Sequence, residues 1–128
     1  MADVLVVDDD ADTLKLVTLI LCRAGHTVLQ VQRGTDVLTQ VSKNHPDAII
    51  LDIMLPDLDG FSVAKKIHVA MPDPPPILFF TALDMPEDQA TSRTLGDGYL
   101  VKPVRSNTLL EAVRKVLEVN AHKNRMVN

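Results

Sequence analysis

Short apolar runs and helical patterns take turns along this chain, and that alternation limits the fold more than any other feature. The apolar runs occupy residues 3–7, 27–31, 48–51, 77–80 and 99–101. Between and after them lie helix candidates over 12–24, 35–44, 61–70, 87–95 and 107–119. In the last of these, Leu109, Ala112, Val113, Val116 and Leu117 mark one face. Gly25, Gly34, Gly60 and Gly96 stand at the joints. Strands alternating with helices predict a parallel sheet covered on both faces, because parallel neighbours need crossover connections. Right-handed crossovers leave few topologies. At 128 residues the prediction is one α/β domain. Its five-stranded parallel sheet takes the order 2-1-3-4-5, the flavodoxin-like three-layer (βα)5 sandwich. The domain is expected over residues 1–119, with 120–128 a tail or the start of a linker. Pro72, Pro74, Pro75 and Pro76 read as a stiff loop into the fourth strand.

Only Phe61, Phe79, Phe80 and Tyr99 are aromatic, so Leu, Val, Ile and Ala must build the core. A net charge of −4 argues against a direct electrostatic grip on nucleic acid. Lys15 and Thr18 interrupt the most apolar stretch, so no membrane span is expected. The single cysteine, Cys22, sits in an apolar helical run and is predicted to be a core residue; a disulfide framework is excluded. The setting expected is reducing and cytoplasmic. His26, His45, His68 and His122 lack ligand spacing and read as surface or loop residues.

The chemistry lies where the strands end. The first run reads VLVVDDD, an apolar strand that stops in Asp8, Asp9 and Asp10. Two like charges about 4 Å apart repel by about 4 kcal/mol at an effective dielectric near 20, so the cluster needs water or a cation among its members. Asp10 or Asp12 can serve as a cap for the helix that follows. The third strand ends at Asp52, the fourth at Thr81, and the fifth at Lys102 followed by Pro103. Parallel strands put all of these at one edge of the sheet. Asp8, Asp9 and Asp52 form a hard-oxygen set suited to Mg²⁺. Lys102 adds a fixed cation and Thr81 a hydroxyl, the groups that a phosphoryl dianion requires. A carboxylate among them can act as the nucleophile.

VLVVDDD, then IILDIMLPDLDG over residues 49–60, FFTA over 79–82 and GYLVKP over 98–103 resemble the receiver domain of two-component response regulators, over about residues 2–119. The resemblance implies Mg²⁺ held by Asp8, Asp9, Asp52 and the backbone carbonyl of Met54, with Asp9 a direct ligand. It implies Asp52 as the phosphoacceptor, Thr81 and Lys102 as its helpers, and Thr81 and Tyr99 as the switch pair. Pro56 and Gly60 match the loop that shapes the site, and the Lys102–Pro103 peptide is expected to be cis. The implied partner is a sensor histidine kinase or a histidine phosphotransfer protein, and the implied role is a signalling switch that catalyses only its own phosphorylation and dephosphorylation. The responding face would be helix 4, strand 5 and helix 5, where a homodimer or an output domain outside this chain would meet it.

Three departures carry expectations of their own. Gly96-Asp97-Gly98-Tyr99 is one residue shorter than the family's usual approach to strand 5, and Val104 stands where Phe often follows Lys-Pro. Met54 and Leu83 would flank the phosphoryl group and slow the attack of water on it. Helix 1 carries more apolar residues than one stripe needs. They are expected between the sheet and helix 5, or with Leu16 or Leu19 left for a partner contact. Two other functions fit part of the pattern. A small phosphatase of the haloacid dehalogenase type would need Asp-x-Asp-x-Thr/Val after strand 1, where Asp12 stands instead. An unphosphorylated interaction module would be favoured by loss of the Asp or the Lys, and both are present.

Overall fold

The structure, a computed structural model, describes residues 1–82 and 84–127, with side chains through residue 121 apart from Leu83. The strands are β1 (Asp3–Val7), β2 (Thr27–Val31), β3 (Ala48–Asp52), β4 (Ile77–Thr81) and β5 (Gly98–Val101). They form one parallel sheet in the order β2-β1-β3-β4-β5, as the alternation predicts. The helices are α1 (Ala11–Arg23), α2 (Val37–Asn44), α3 (Gly60–Ala70), α4 (Pro86–Leu95) and α5 (Ser106–Val127). A 3₁₀ turn at Gly34–Asp36 leads into α2, where the sequence pattern had predicted helix from residue 35. The last helix runs beyond 119 to Val127.

Period-two alternation divides the strand side chains between two cores. Leu5, Val7, Ile49, Leu51, Ile77 and Phe79 face Val37 and Val41 of α2 and Val63 and Ile67 of α3. Val4, Val6, Ile50, Leu78 and Phe80 face Leu14, Val17 and Leu21 of α1 and Leu109, Val113 and Val116 of α5. Every residue of β3 and β4 is buried. Burying a Leu, Ile or Phe side chain contributes about 1.5–3 kcal/mol, so these two strands anchor the domain. Phe79 packs edge-on against Phe61, with ring centroids 5.0 Å apart.

Local chemistry fixes where the helices start. Asp10 caps α1: its side chain accepts from the Asp12 N–H at 3.3 Å and from the Thr13 hydroxyl at 2.6 Å. Asp59 caps α3 through the Ser62 N–H at 3.0 Å. Pro86 occupies the first turn of α4, where a missing N–H costs nothing.

The face of α1 differs in part from expectation. Its buried stripe is Leu14, Val17 and Leu21. Cys22 is exposed rather than in the core, because one residue beyond Leu21 the helix has turned about 100° toward solvent. Leu16 and Leu19 are also exposed, at 56% and 48%, the arrangement anticipated for a partner contact rather than for full burial. With Ile20, Ala24 and Leu110 they line a shallow groove between α1 and α5.

The histidines are less uniform than the sequence implied. His45 is exposed and closes α2 in the left-handed region, at φ 48°. His68 is exposed, and its Nε2 lies 2.7 Å from the Leu95 carbonyl oxygen. His26 is half-buried with its Nδ1 unpartnered, and burial lowers its pKa. The side chain of His122 lies outside the described residues. Among the described residues no helix is long and apolar enough to cross a membrane.

Candidate functional site

The carboxyl ends of β1, β3, β4 and β5 carry polar residues, and the parallel sheet brings them to one edge. Asp52 and Thr81 are the last residues of β3 and β4, one position beyond the predicted strand ends, and both are buried. Asp8 follows β1, and its N–H donates to the Val31 carbonyl at 3.1 Å, continuing the sheet by one rung. Register pairs Thr81 with Val101, so Lys102 emerges beside Thr81, and the Lys102 N–H donates to the Thr81 carbonyl at 2.7 Å. The Lys102–Pro103 peptide is cis, as expected.

Lys102 answers the charge problem posed by the acidic cluster. Its Nζ donates to Asp8 Oδ2 at 2.6 Å and to Asp52 Oδ2 at 3.1 Å. The second oxygen of each carboxylate is also held: Asp8 Oδ1 accepts from the Asp10 N–H at 2.9 Å, and Asp52 Oδ1 from the Met54 N–H at 3.0 Å. Asp9 is exposed at the rim. One oxygen each from Asp8, Asp9 and Asp52 lies within 4.8 Å of the others. Three carboxylates face one ammonium, which leaves an excess of negative charge on hard oxygen atoms. A small divalent cation fits that donor set.

Burial dominates the titration of Asp52 and pushes its carboxyl above the usual range; the Met54 N–H and Lys102 pull it down, and Asp8 pushes it further up. Burial alone would lower Lys102, but its bonds and charge pairing with Asp8 and Asp52 outweigh that and hold it above its ordinary value. The ammonium therefore stays charged beside a carboxylate of raised basicity. Asp10 is lowered, chiefly by the Thr13 hydroxyl, which fits a cap rather than a member of the cluster.

The loop between β3 and α3 folds tightly over Asp52. The Gly60 N–H donates to the Ile53 carbonyl at 2.8 Å, and a Cβ at position 60 would lie 2.3 Å from the Asp52 carbonyl oxygen. Only glycine permits that approach. Met54 and Pro56 are exposed on this loop, and Leu83 lies outside the described residues. Tyr99 stands apart from the carboxylates. It pairs with Phe79 on the other side of the sheet plane from Phe80, half-buried against the α2–α3 core. Burial, with Asp84 and Asp88, raises its hydroxyl pKa. The shortened approach to β5 is held firmly: Asp97 accepts from the Ile77 N–H at 3.1 Å and its own N–H donates to the Ile77 carbonyl at 2.8 Å.

Two residues to which the motifs assign no role adjoin this arrangement. The Phe80 ring lies beneath the Lys102 ammonium, with 5.1 Å between Nζ and the ring centroid, a cation–π contact. Asp57 bonds the β3–α3 loop to the turn before α2. An aromatic residue just before the strand-end threonine was a signal for the first; nothing in the sequence signalled the second.

Comparison with known proteins agrees with this geometry. The profile of the response regulator receiver domain matches residues 4–114. Protein PilH of Pseudomonas aeruginosa is 32% identical over 119 residues, covering 91% of this chain and 98% of that protein. Transcriptional regulatory protein AfsQ1 of Streptomyces coelicolor is 36% identical over 118 residues, covering 91% of this chain and 52% of that protein. The chain thus spans about half the length of several curated relatives it matches, and nearly all of PilH. Among solved structures, the CheY-like response regulator receiver domain protein of Methanospirillum hungatei superposes with a TM-score of 0.88 at 27% identity, over 96% of this chain and 98% of that one. Chemotaxis protein CheY4 of Vibrio cholerae gives 0.82 at 32% identity, over 91% and 98%. Its sequence and its fold alike make this chain a member of the response regulator receiver domain family.

Proposed function

We propose that Asp52 accepts a phosphoryl group from a phosphohistidine on a sensor histidine kinase or a phosphotransfer protein. The observation that carries this reading is the triad in which Lys102 Nζ, half-buried, bridges the buried carboxylates of Asp8 and Asp52. An Asp52 carboxylate oxygen attacks phosphorus in line. The phosphorus–nitrogen bond to the donor imidazole breaks, its electron pair stays on nitrogen, and an acyl phosphate forms on Asp52. Lys102 leaves Asp52 for a phosphoryl oxygen while keeping Asp8, so positive charge follows the developing negative charge. Mg²⁺, held by Asp8, Asp9, Asp52 and the Met54 carbonyl, would neutralise phosphoryl oxygens as a Lewis acid.

The Thr81 hydroxyl, at the end of the next strand, then bonds the phosphoryl group, and Tyr99 packs inward toward Thr81. The face of α4, β5 and α5 shifts population in response and meets an output partner or a second copy of the chain. The domain would occupy residues 1–119 and act in the cytoplasm, with the output supplied by another domain or protein. Its acidic balance suits it to protein partners rather than direct contact with nucleic acid or membrane.

Intact mass after incubation with acetyl phosphate tests the reading. Wild type should gain about 80 Da, one phosphoryl group, only with Mg²⁺ present, and Asp52→Asn should gain nothing. The reading fails if Asp52→Asn gains the same mass, or if neither acetyl phosphate nor beryllofluoride alters the wild type. The second outcome would favour a silent interaction module, and steady turnover of a small phosphate ester would favour a phosphatase.

A further inference from the structure

The loop that carries Met54 is tied at its base and again at its tip. At the base, Gly60 bonds back to Ile53 and Met54 bonds to Asp52, while the Leu55 side chain is buried. At the tip, Asp57 spreads its two oxygens over successive amides from a distant part of the chain. Oδ1 accepts from the Gly34 N–H at 3.1 Å and Oδ2 from the Thr35 N–H at 3.0 Å. These amides open the 3₁₀ turn between β2 and α2. The two surfaces meet closely there: a Cβ at Gly34 would lie 2.8 Å from the Leu58 carbonyl oxygen and 3.1 Å from Val63 Cγ2. The Thr35 and Gly34 amide bonds hold the exposed Asp57 carboxyl at about 2, so it is ionised at any physiological pH.

We propose that Asp57 is a positioning residue, whose carboxylate clamps the loop of residues 53–59 to the Gly34–Thr35 turn and thereby fixes the Met54 carbonyl for a bound divalent cation. This rests on the metal reading of Asp8, Asp9, Asp52 and Met54 given above. A loop without the clamp samples other conformations and must be ordered when the cation binds, which lowers affinity without touching any ligand. Asp57 is exposed and lies outside both cores, so its removal should leave the fold intact.

A titration of MgCl₂ followed by amide NMR, on wild type, Asp57→Ala, Asp57→Asn and Asp9→Asn, decides the matter. In Asp57→Ala the Mg²⁺ dissociation constant should rise about tenfold, the lower end of the effect of removing a residue that orients a metal ligand. The Gly34 and Thr35 amides should move and exchange faster in the same variant. Asp57→Asn keeps one acceptor oxygen and should fall between it and wild type. A residue with only a structural role would lower the thermal midpoint and leave the dissociation constant alone. The proposal is overturned if the two amides are released and Mg²⁺ still binds as in wild type. If Asp9→Asn binds Mg²⁺ as wild type does, or wild type shows no titration, the metal reading itself fails and the proposal falls with it.

Discussion

β1, β3 and β4 differ from β5 and α4 in how completely they are enclosed. The first three are buried along nearly their whole length, whereas all four residues of β5 are half-buried and the buried set of α4 is Ser92 alone. Asp8, Asp52 and Thr81 stand at the carboxyl ends of the enclosed strands; Tyr99 stands on the lightly packed one. Reacting groups need geometry that does not wander, and strands packed on both faces supply it. A face that must rearrange needs few buried contacts to break, and a polar α4 beside a half-buried β5 supplies that. Under the proposed function, the reacting groups sit at the ends of the enclosed strands and the responding face lies on the lightly packed elements, with Lys102 at the seam.

The largest test of this division is Lys102→Ala. It leaves Asp8 and Asp52 buried without their cation, and phosphoryl uptake from acetyl phosphate should slow about a hundredfold. Uptake at the wild-type rate would show that the ion pair is structural only.

A smaller effect separates the two regions by stability. Ile50→Ala in β3 should cost about 2–5 kcal/mol in urea denaturation, and Leu100→Ala in β5 about half as much, because a half-buried site loses less contact. Amides of β3 and β4 should exchange only with global unfolding, those of α4 sooner. Equal costs and equal exchange would erase the contrast.

Asp52→Asn sharpens the contrast from the chemical side. The folded pKa of Asp52 is raised above its unfolded value of about 3.9, so its contribution favours the fold below that pH and is lost as pH rises through the folded pKa. At pH 7 in metal-free buffer the ionised Asp52 is a cost that Asn removes. The thermal midpoint should rise by about 4 °C for each kcal/mol recovered. The gain should shrink as pH falls below about 4. A lower midpoint for Asp52→Asn at pH 7 would mean that the Lys102 pairing outweighs burial. Smallest of all, Met54→Asn should speed loss of the phosphoryl group a few-fold by letting water approach beside Asp52. An unchanged lifetime in a phosphate-release assay would clear Met54 of that role.

The parallel sheet and the meeting of Asp8, Asp52, Thr81 and Lys102 at one edge were legible from counting along the chain, and the strand order from the topology common at this size. VLVV, AII and ILFF are apolar at every position, which marks strands covered on both faces, and the residue after each such run must lie at a strand end. Cys22 was misread because a run of apolar residues in α1 shows that a face is buried but not where that face stops. Helix packing set its edge at Leu21. The 3₁₀ turn before α2 was also hidden; the Gly34 and Thr35 amides that open it bond to Asp57, a partner 23 and 22 residues away that no local pattern reveals.

The sequence by itself determined the five-fold alternation, hence the parallel sheet, and the identity of the carboxylates, hydroxyl and lysine at its carboxyl edge. These are properties of period and position, and the chain carries them without reference to anything distant. The tertiary structure alone decided how charge is shared. Lys102 reaches Asp8 across 94 residues and Asp52 across 50, and Asp57 reaches its amides across 22 and 23. Such pairings depend on where packed elements bring atoms within about 3 Å of each other, and hydrogen bonds weaken steeply beyond that distance. No periodicity along one strand or helix encodes it.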